Sequence, residues 1–535
     1  MAVWTDYTTN CRGGGSRPAS QVLRTAHHRG VQQRSRWLTK NNMTRVLLAV
    51  HKFFPSHRAG TEVLALKTAQ ELMRRGYEVL VVAANPPDQD ARHAVGPEAS
   101  KYVFEGVSVH VLEEALRLKS FTFHSEYYHA EMNAHFQGIL DSFQPDIVHI
   151  FHAQNLSASI IEAARERDIP VVFFAMDFWF VCPVVQLKRP DGTICRGPST
   201  QAVNCLTCYT PKLFPPVFEF MKAIERKYPT VARLVNAMPL PIRRLVERVL
   251  FAFYAAGKVP SAIQATKERP DVLRQAINQT QAILVPTKIM REIFIENGVR
   301  RDLIQHLGFG IDTDPLTPYR NKPASDTLRI GFIGTFFEHK GVDLLIEAFQ
   351  SLPSEAKANL TLYGDLKQFP DYAKQLVALA QRERPNSKKI KFAGTFPNSM
   401  LGVVLSEMDV LVVPSRWYEN TPLVIQSALA TKTPVIATDL GGMSELIKHG
   451  VNGLLFRLND SHSLADQLLK LLKDRSLIGR LRANILDERT TAEMVDEIEG
   501  VFVRVLNVNR GASAVTIRNM AHEGTLVSSL AMEEE

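Results

Sequence analysis

A glutamate after an apolar strand, a lysine after a glycine-containing loop and a glycine pair before a short helix are the residue types that hold and discharge a phosphorylated ligand. This chain of 535 residues has all three. In 409–446, DVLVVPSRWYENTPLVIQSALATKTPVIATDLGGMSEL, the runs 410–413 and 434–438 bracket a helical pattern, so the stretch reads as strand, loop, helix, strand, glycine turn, helix. With Thr421 as N-cap and Pro422 at the first helical position, Glu419 falls on a loop at the carboxyl end of a parallel strand, where open α/β sheets bind ligands. Gly441 and Gly442 let backbone amides approach an anion, and the helix through Ser444 and Glu445 adds its partial positive charge. The arrangement predicts a phosphate cradle with a carboxylate beside it.

Lys340 follows the strand 328–333 and the loop Gly334-Thr335-Phe336-Phe337-Glu338-His339, and precedes Gly341 and a helix over 342–350. A flexible ammonium there neutralises a diphosphate as it leaves. A solvated surface lysine is the alternative, and the company of Gly341, the Glu419 loop and Gly441-Gly442 argues against it. Asp177, in AMDFWF, ends an earlier strand facing the same cleft, either as a ligand contact or as a cap. His149 and His152 flank another strand end. Four of the five cysteines cluster as Cys182, Cys195, Cys205 and Cys208. Cys205-x-x-Cys208 is a zinc half-site that Cys182 and Cys195 can complete, although 182 to 195 is a wide spacing, and free thiols are the other reading. Disulfides would need an oxidising compartment that nothing else in the chain indicates.

These residues must be placed by alternating strands and helices. Strands are predicted at 45–50, 77–83, 146–150 and 171–175, with helices at 61–75, closed by Gly76, and at 157–167. A strand over 282–286 and a helix over 288–297 follow. The later strands are 328–333, 359–364, 391–394 and the two in the opening stretch, with helices continuing to about 506. Such alternation implies α/β architecture with parallel, doubly wound sheets. Gly60, between the first strand and its helix, is a point where a ligand can approach the backbone.

PSRWYENTPLVIQSALA followed by TPVIATDLGGMSELI resembles the donor-site signature of the retaining glycosyltransferases of family 4. The resemblance implies two facing Rossmann-like domains of the GT-B type, here with a cysteine-containing and helical insert in the first. It divides the chain into a basic extension 1–42 and an acceptor domain 43–310 that includes the insert 182–278. A nucleotide-sugar donor domain 311–480, helices 481–506 returning toward the first domain and a tail 507–535 complete it. It implies a retaining, hexosyltransferase-type enzyme whose donor substrate is a nucleoside diphosphate sugar and whose acceptor is a glycan or lipid-linked molecule, in polysaccharide or cell-envelope glycan synthesis. Asp177, Lys340 and Glu419 are the catalytic residues so implied. Gly60, Gly334, Thr335, Asn420, Thr421, Ser427, Gly441, Gly442, Met443 and Glu445 join Lys340 and Glu419 in holding the donor. The chain departs from the family pattern at Ser427, where a second glutamate normally holds the ribose. It departs also at Thr335, where many members have Arg, and at Met176, where many have His. Those departures keep open a catalytically silent scaffold or glycan-binding subunit, and, more distantly, an epimerase on the same fold. No paired-aspartate signature for a catalytic metal accompanies the motifs, so only a structural zinc is expected.

The net charge of +8 is concentrated. Residues 1–42 carry seven Lys or Arg against Asp6, and 211–278 carry twelve against five acids. No nucleic-acid module accompanies this charge, so nucleic acid is not an expected partner. Without a long apolar run or a signal-type h-region, the chain is expected to be cytoplasmic. Within 211–278, Ile242, Leu245, Val246, Val249, Leu250 and Phe253 recur at helical spacing, opposite Arg243, Arg244, Glu247 and Arg248. That pattern fits either packing on the first domain or peripheral attachment to an anionic membrane surface.

Overall fold

The computed structural model describes residues 43–55, 57–84, 101–112, 123–213, 225 and 228–509. The basic extension 1–42 and residues 510–535 of the expected tail lie outside the described residues. The first sheet comprises β1 (Arg45–Val50), β2 (Glu78–Ala83), β3 (Lys101–Phe104), β4 (Val107–Val111), β5 (Ile147–Ile150), β6 (Val171–Phe174), β7 (Ala282–Val285) and β8 (Ile304–His306). Its helices are α1 (Gly60–Arg74), α2 (Ala130–Phe143), α3 (Ser159–Arg165), α4 (Val203–Leu213), α5 (Pro229–Asn236), α6 (Leu240–Ile277) and α7 (Lys288–Glu296). The second sheet comprises β9 (Leu328–Ile333), β10 (Ala358–Tyr363), β11 (Ile390–Gly394), β12 (Val410–Val413), β13 (Val435–Thr438) and β14 (Gly453–Phe456). With it run α8 (Val342–Gln350), α9 (Pro370–Ala380), α10 (Leu401–Ser406), α11 (Leu423–Ala430), α12 (Gly442–Leu446), α13 (Ser461–Lys473), α14 (Ser476–Ala483) and α15 (Thr491–Asn509).

The strand order is β3-β4-β2-β1-β5-β6-β7-β8 in one sheet and β11-β10-β9-β12-β13-β14 in the other, parallel throughout except for β3 against β4. Strands such as β5, β6, β7, β12 and β13 are buried at every position, because helices cover both faces. The strand order reverses between β1 and β5 in the first sheet and between β9 and β12 in the second. At such switch points neighbouring loops diverge to opposite faces and open a crevice at the carboxyl ends of the strands.

The last helix crosses back. Met494, Val495, Ile498, Val501, Phe502 and Val505 of α15 form one apolar stripe and are buried in the core of the first sheet, beside Leu64 and Leu72 of α1. Arg75 fixes this packing through Glu71, Asp496 (2.7 Å) and Glu499. The two interdomain crossings run side by side. Ile311 N donates to Arg489 O (3.0 Å) and Thr491 N to Ile311 O (2.9 Å), and a side chain at Gly310 would stand 2.1 Å from Thr490 O.

One local expectation changes, and one open alternative narrows. The helix after Glu419 begins at Leu423 with Pro422 at the N-cap, and no side chain caps it. Thr421 is instead a buried loop residue. The amphipathic stripe of the insert does not disappear into the first domain: Ile242 (52% exposed), Leu245 (63%), Val249 (44%) and Phe253 (75%) face outward on α6.

Glu488, at the second crossing, is a carboxyl whose ionisation is opposed by its surroundings. Burial pushes its carboxyl up to about 7, against hydrogen bonding from Gln426 and the charge of Lys432. A raised carboxyl pKa stabilises the fold fully below the unfolded value and less as pH rises toward 7. Glu488→Gln is therefore expected to gain about 1–3 kcal/mol at pH 8 and nothing near pH 4, measured by urea unfolding at both pH values. An equal effect at both would show that burial of the charge is not what matters.

Candidate functional site

Lys340 and Glu419 stand on the loops that follow β9 and β12, the two strands flanking the switch point of the second sheet. Glycine backbone geometry brings those loops together. Gly341 has φ +66°, and a side chain there would meet Pro414 O at 2.0 Å, so only glycine lets the β9 loop lie against the end of β12. Lys340 Nζ then donates to Glu419 Oε1 at 2.5 Å. Ser415 Oγ (2.8 Å) and Trp417 Nε1 (2.7 Å) donate to the same oxygen. Burial alone would raise the Glu419 carboxyl, but the Lys340 ammonium and these donors bring it below the usual carboxylate range. The site thus stores a buried carboxylate with its countercharge. Arg416 locks the loop from outside through a bidentate pair with Asp343 (2.9 and 2.7 Å). His339, its ring tilted against that of Trp417 with centroids 4.8 Å apart, is pushed down to about 4 by burial and then by Lys340, and is neutral at pH 7.

The glycine pair has a different task from the predicted one. Gly442 N donates to Glu419 O (3.0 Å), and a side chain on Gly442 would overlap Asn420 O. The close approach that demands glycine is to the Glu419-Asn420 backbone, so Gly441 and Gly442 position the carboxylate loop rather than offer that amide to an anion. Met443 is fully buried in the core beneath, which removes its side chain from any ligand. Glu445 accepts from Lys288 N (2.8 Å) and Ile289 N (2.9 Å), capping α7 of the first domain. A carboxylate at a helix N-terminus is well placed there, so Glu445 acts between the domains in this structure.

Gly60, Gly334, Thr335 and Ser427 line one interdomain cleft of about 610 Å³, together with Lys67, Asp312 and Tyr363, which sequence reasoning did not single out. The Ser427 hydroxyl donates to Leu423 O (2.8 Å) within its own helix and reaches the cleft as an acceptor. Asn420 Nδ2 donates to Met176 O across the domains, while Asn420 Oδ1 is buried with no partner among the described residues.

On the first domain Asp177 Oδ2 meets His152 Nε2 at 2.6 Å, and Asp177 Oδ1 accepts from Trp179 N (2.9 Å). Asp177 thus caps the turn that follows its strand and is paired with His152. The His152 ring lies 4.2 Å from that of His51, which stands 3.5 Å from the buried Glu62. Burial and then His152 keep the His51 imidazole well below its ordinary pKa, and burial raises Glu62. His51 and His152 follow β1 and β5, the switch-point strands of the first sheet, and the position of His51 at a strand end was the available signal. His149 is fully buried beneath, with its Nδ1 on Val172 O (3.2 Å), and lines no cleft. The four cysteines surround a single cavity of about 10 Å³, and in the arrangement seen here no three His, Cys, Asp or Glu side chains among the described residues are set to hold a metal ion.

Removing Lys340 alone strands a buried carboxylate, which costs more than removing both charges. Lys340→Met is expected to lose about 1–3 kcal/mol, and the double variant Lys340→Met/Glu419→Gln to recover most of it, by urea denaturation. A single variant as stable as the parent protein would contradict the pairing.

Known proteins match the same two regions. Residues 318–487 match the family model described as glycosyl transferases group 1, and 58–192 that described as glycosyltransferase family 4. N-acetyl-alpha-D-glucosaminyl L-malate synthase of Bacillus anthracis is 28% identical over 244 residues, 44% of this chain and 59% of that protein. D-inositol 3-phosphate glycosyltransferase of Nocardia farcinica is 28% identical over 246 residues, 43% of this chain and 54% of that protein. The aligned stretches thus span little more than half of these curated relatives. Among solved structures, HepE of Anabaena in complex with UDP and glucose superimposes with TM-score 0.56 at 15% identity, covering 86% of this chain and all of that one. Sucrose-phosphate synthase of Thermosynechococcus elongatus gives 0.55 at 16%, covering 87% and 98%.

Proposed function

Because the chain belongs to the group 1, family 4 glycosyltransferases, we propose that it transfers a sugar from a nucleoside diphosphate sugar to a glycan or lipid-linked acceptor, with retention, in polysaccharide or cell-envelope glycan synthesis. The observation that carries this reading is the Lys340–Glu419 pair at the second switch point, beside a cleft walled by both domains. When donor enters, Lys340 turns from Glu419 to the diphosphate, whose negative charge grows as the sugar–oxygen bond breaks. Glu419, still held by Ser415 and Trp417, is freed to accept from sugar hydroxyls. The departing phosphate takes the acceptor proton on the face it leaves, which gives retention without a second protein carboxylate. Asp177 and His152 border the sugar from the first domain. The donor sugars seen in related folds make uridine diphosphate the first nucleotide to try.

A thermal-shift panel of UDP, GDP, ADP and their sugars tests the donor, since only a ligand that binds the native state raises its stability. One nucleotide and its sugar should stand out, and Lys340→Ala and Glu419→Ala should each lower transfer by about 10² to 10³. Transfer at parent rate in both variants would remove the proposed donor site. A selective shift without transfer or donor hydrolysis would favour the silent, glycan-binding alternative, for which Ser427, Thr335 and Met176 speak.

The acceptor side of the proposal includes a membrane. The outward stripe of α6 is joined by exposed Val231 and Leu234 on α5, with Arg233, Arg244 and Arg248 exposed around it and Arg243 paired to Glu247 (2.8 Å). Among the described residues no helix is long and apolar enough to cross a bilayer. An apolar stripe rimmed by arginine suits the interface of an anionic lipid surface, where each basic residue contributes about 1 kcal/mol. In liposome co-sedimentation the full chain should pellet with anionic vesicles and less so as salt rises. Changing Arg243, Arg244 and Arg248 together to Glu should weaken binding by roughly tenfold or more. Equal pelleting with neutral vesicles, or none with either, would assign the stripe to another partner.

A further inference from the structure

The segment between Asp177 and α6 contains a second constellation, which the transfer reaction does not use. Cys182, Cys195, Cys205 and Cys208 converge on one cavity of about 10 Å³, room for a single water-sized body. Backbone geometry builds this convergence. Cys195 N donates to Leu187 O (2.6 Å) and Arg189 N to Thr193 O (2.8 Å), while Lys188 pairs antiparallel with Ile194. Cys195 therefore stands at the foot of a hairpin that turns at Asp191-Gly192, opposite Leu187, and Cys182 sits in the turn that leads into it. The other two lie three residues apart in the first two turns of α4, on one face of the helix and near its positive end.

Hydrogen-bond donors and a guanidinium face the sulfurs. Gly197 N donates to Cys195 Sγ (3.4 Å), and the backbone N–H groups of Leu187 and Val184 hydrogen-bond to Cys182. The fully buried Arg269 guanidinium acts on Cys182 and Cys205. Val185 and Leu187 are held at φ +60° and +49°, a conformation costly for side chains of these types and kept only where surrounding structure dictates it. As thiols, Cys195 Sγ donates to Gly197 O (3.2 Å) and Cys205 Sγ to Asn204 Oδ1 (3.6 Å), contacts that keep the four sulfurs out of a metal-binding arrangement and vanish when the protons leave.

We propose that the four cysteines bind one zinc ion as a tetrahedral, purely structural site. One Zn²⁺ displaces four thiol protons, leaving a centre of net charge −2 that Arg269 and the N–H donors offset, and no electron is transferred. The hairpin so fixed reaches across the domains. Gln186 Nε2 lies 3.4 Å from His339 Nδ1, and Lys188 Nζ 3.5 Å from Glu338 Oε1, next to Lys340. The metal would thus brace the β9 loop, a consequence that rests on the donor-site reading although the metal site itself does not.

The test uses the full chain purified under reducing conditions without added metal. Elemental analysis should find about one equivalent of zinc, released as a mercurial titrates the four thiols. Cobalt substitution should give intense thiolate charge-transfer bands and the visible bands of tetrahedral cobalt. Cys205→Ser/Cys208→Ser should lose the metal; should that variant fail to fold, the cobalt spectrum of the unaltered protein decides. Absence of both bound metal and cobalt–thiolate bands, a disulfide between any two of the four, or full zinc retention in the double variant would each overturn the proposal.

Discussion

The fold turns on one contact between a buried carboxylate and an ammonium. Glu419 and Lys340 lie 79 residues apart in sequence, after different strands, and each would be costly to desolvate alone. Their meeting depends on two backbone contacts that tolerate no side chain: Gly341 against Pro414, and Gly442 against Asn420. The glycines therefore set the geometry, and Ser415, Trp417 and Arg416 hold it. A pair arranged in this way has its electrostatics organised before the ligand arrives, which is what stabilisation of a leaving diphosphate requires.

Around that contact the domains are tied by polar groups that a ligand could also use. Asn420 reaches Met176 O, Glu445 caps α7, and Gln186 and Lys188 touch the β9 loop. Such ties are few and mostly single hydrogen bonds. On the far side the connection is the apolar packing of α15 on α1, with the Arg75 ion pairs at its edge.

Much of this was legible in the sequence wherever the signal was local. Apolar runs gave most of the strands, though not β3, β4 or β8, and residue type near a strand end singled out Lys340, Glu419 and Asp177. What was not legible were contacts between distant segments. Nothing in DLGGMSEL says that the glycine amide is taken by Glu419 O, that Met443 points into the core, or that Glu445 caps a helix 157 residues earlier. The His51–Glu62–His152–Asp177 group is likewise spread over three β-α units and becomes one feature only when β1, β5 and β6 lie side by side. Periodicity found the α6 helix, but whether its apolar face is covered depends on the neighbouring helices, and there the structure leaves it outward.

The central claim is that Lys340 exchanges Glu419 for the donor's diphosphate. It is tested most directly by calorimetric titration of the cognate nucleoside diphosphate and of its monophosphate into the parent protein and Lys340→Met. Comparing the two ligands within one variant cancels any general effect of the stranded carboxylate on the fold. The account predicts that the variant loses roughly tenfold or more in affinity for the diphosphate and little for the monophosphate, because a charge-assisted contact to the terminal phosphate is worth about 1.5–3 kcal/mol. Equal losses for both ligands, or none for either, would contradict it.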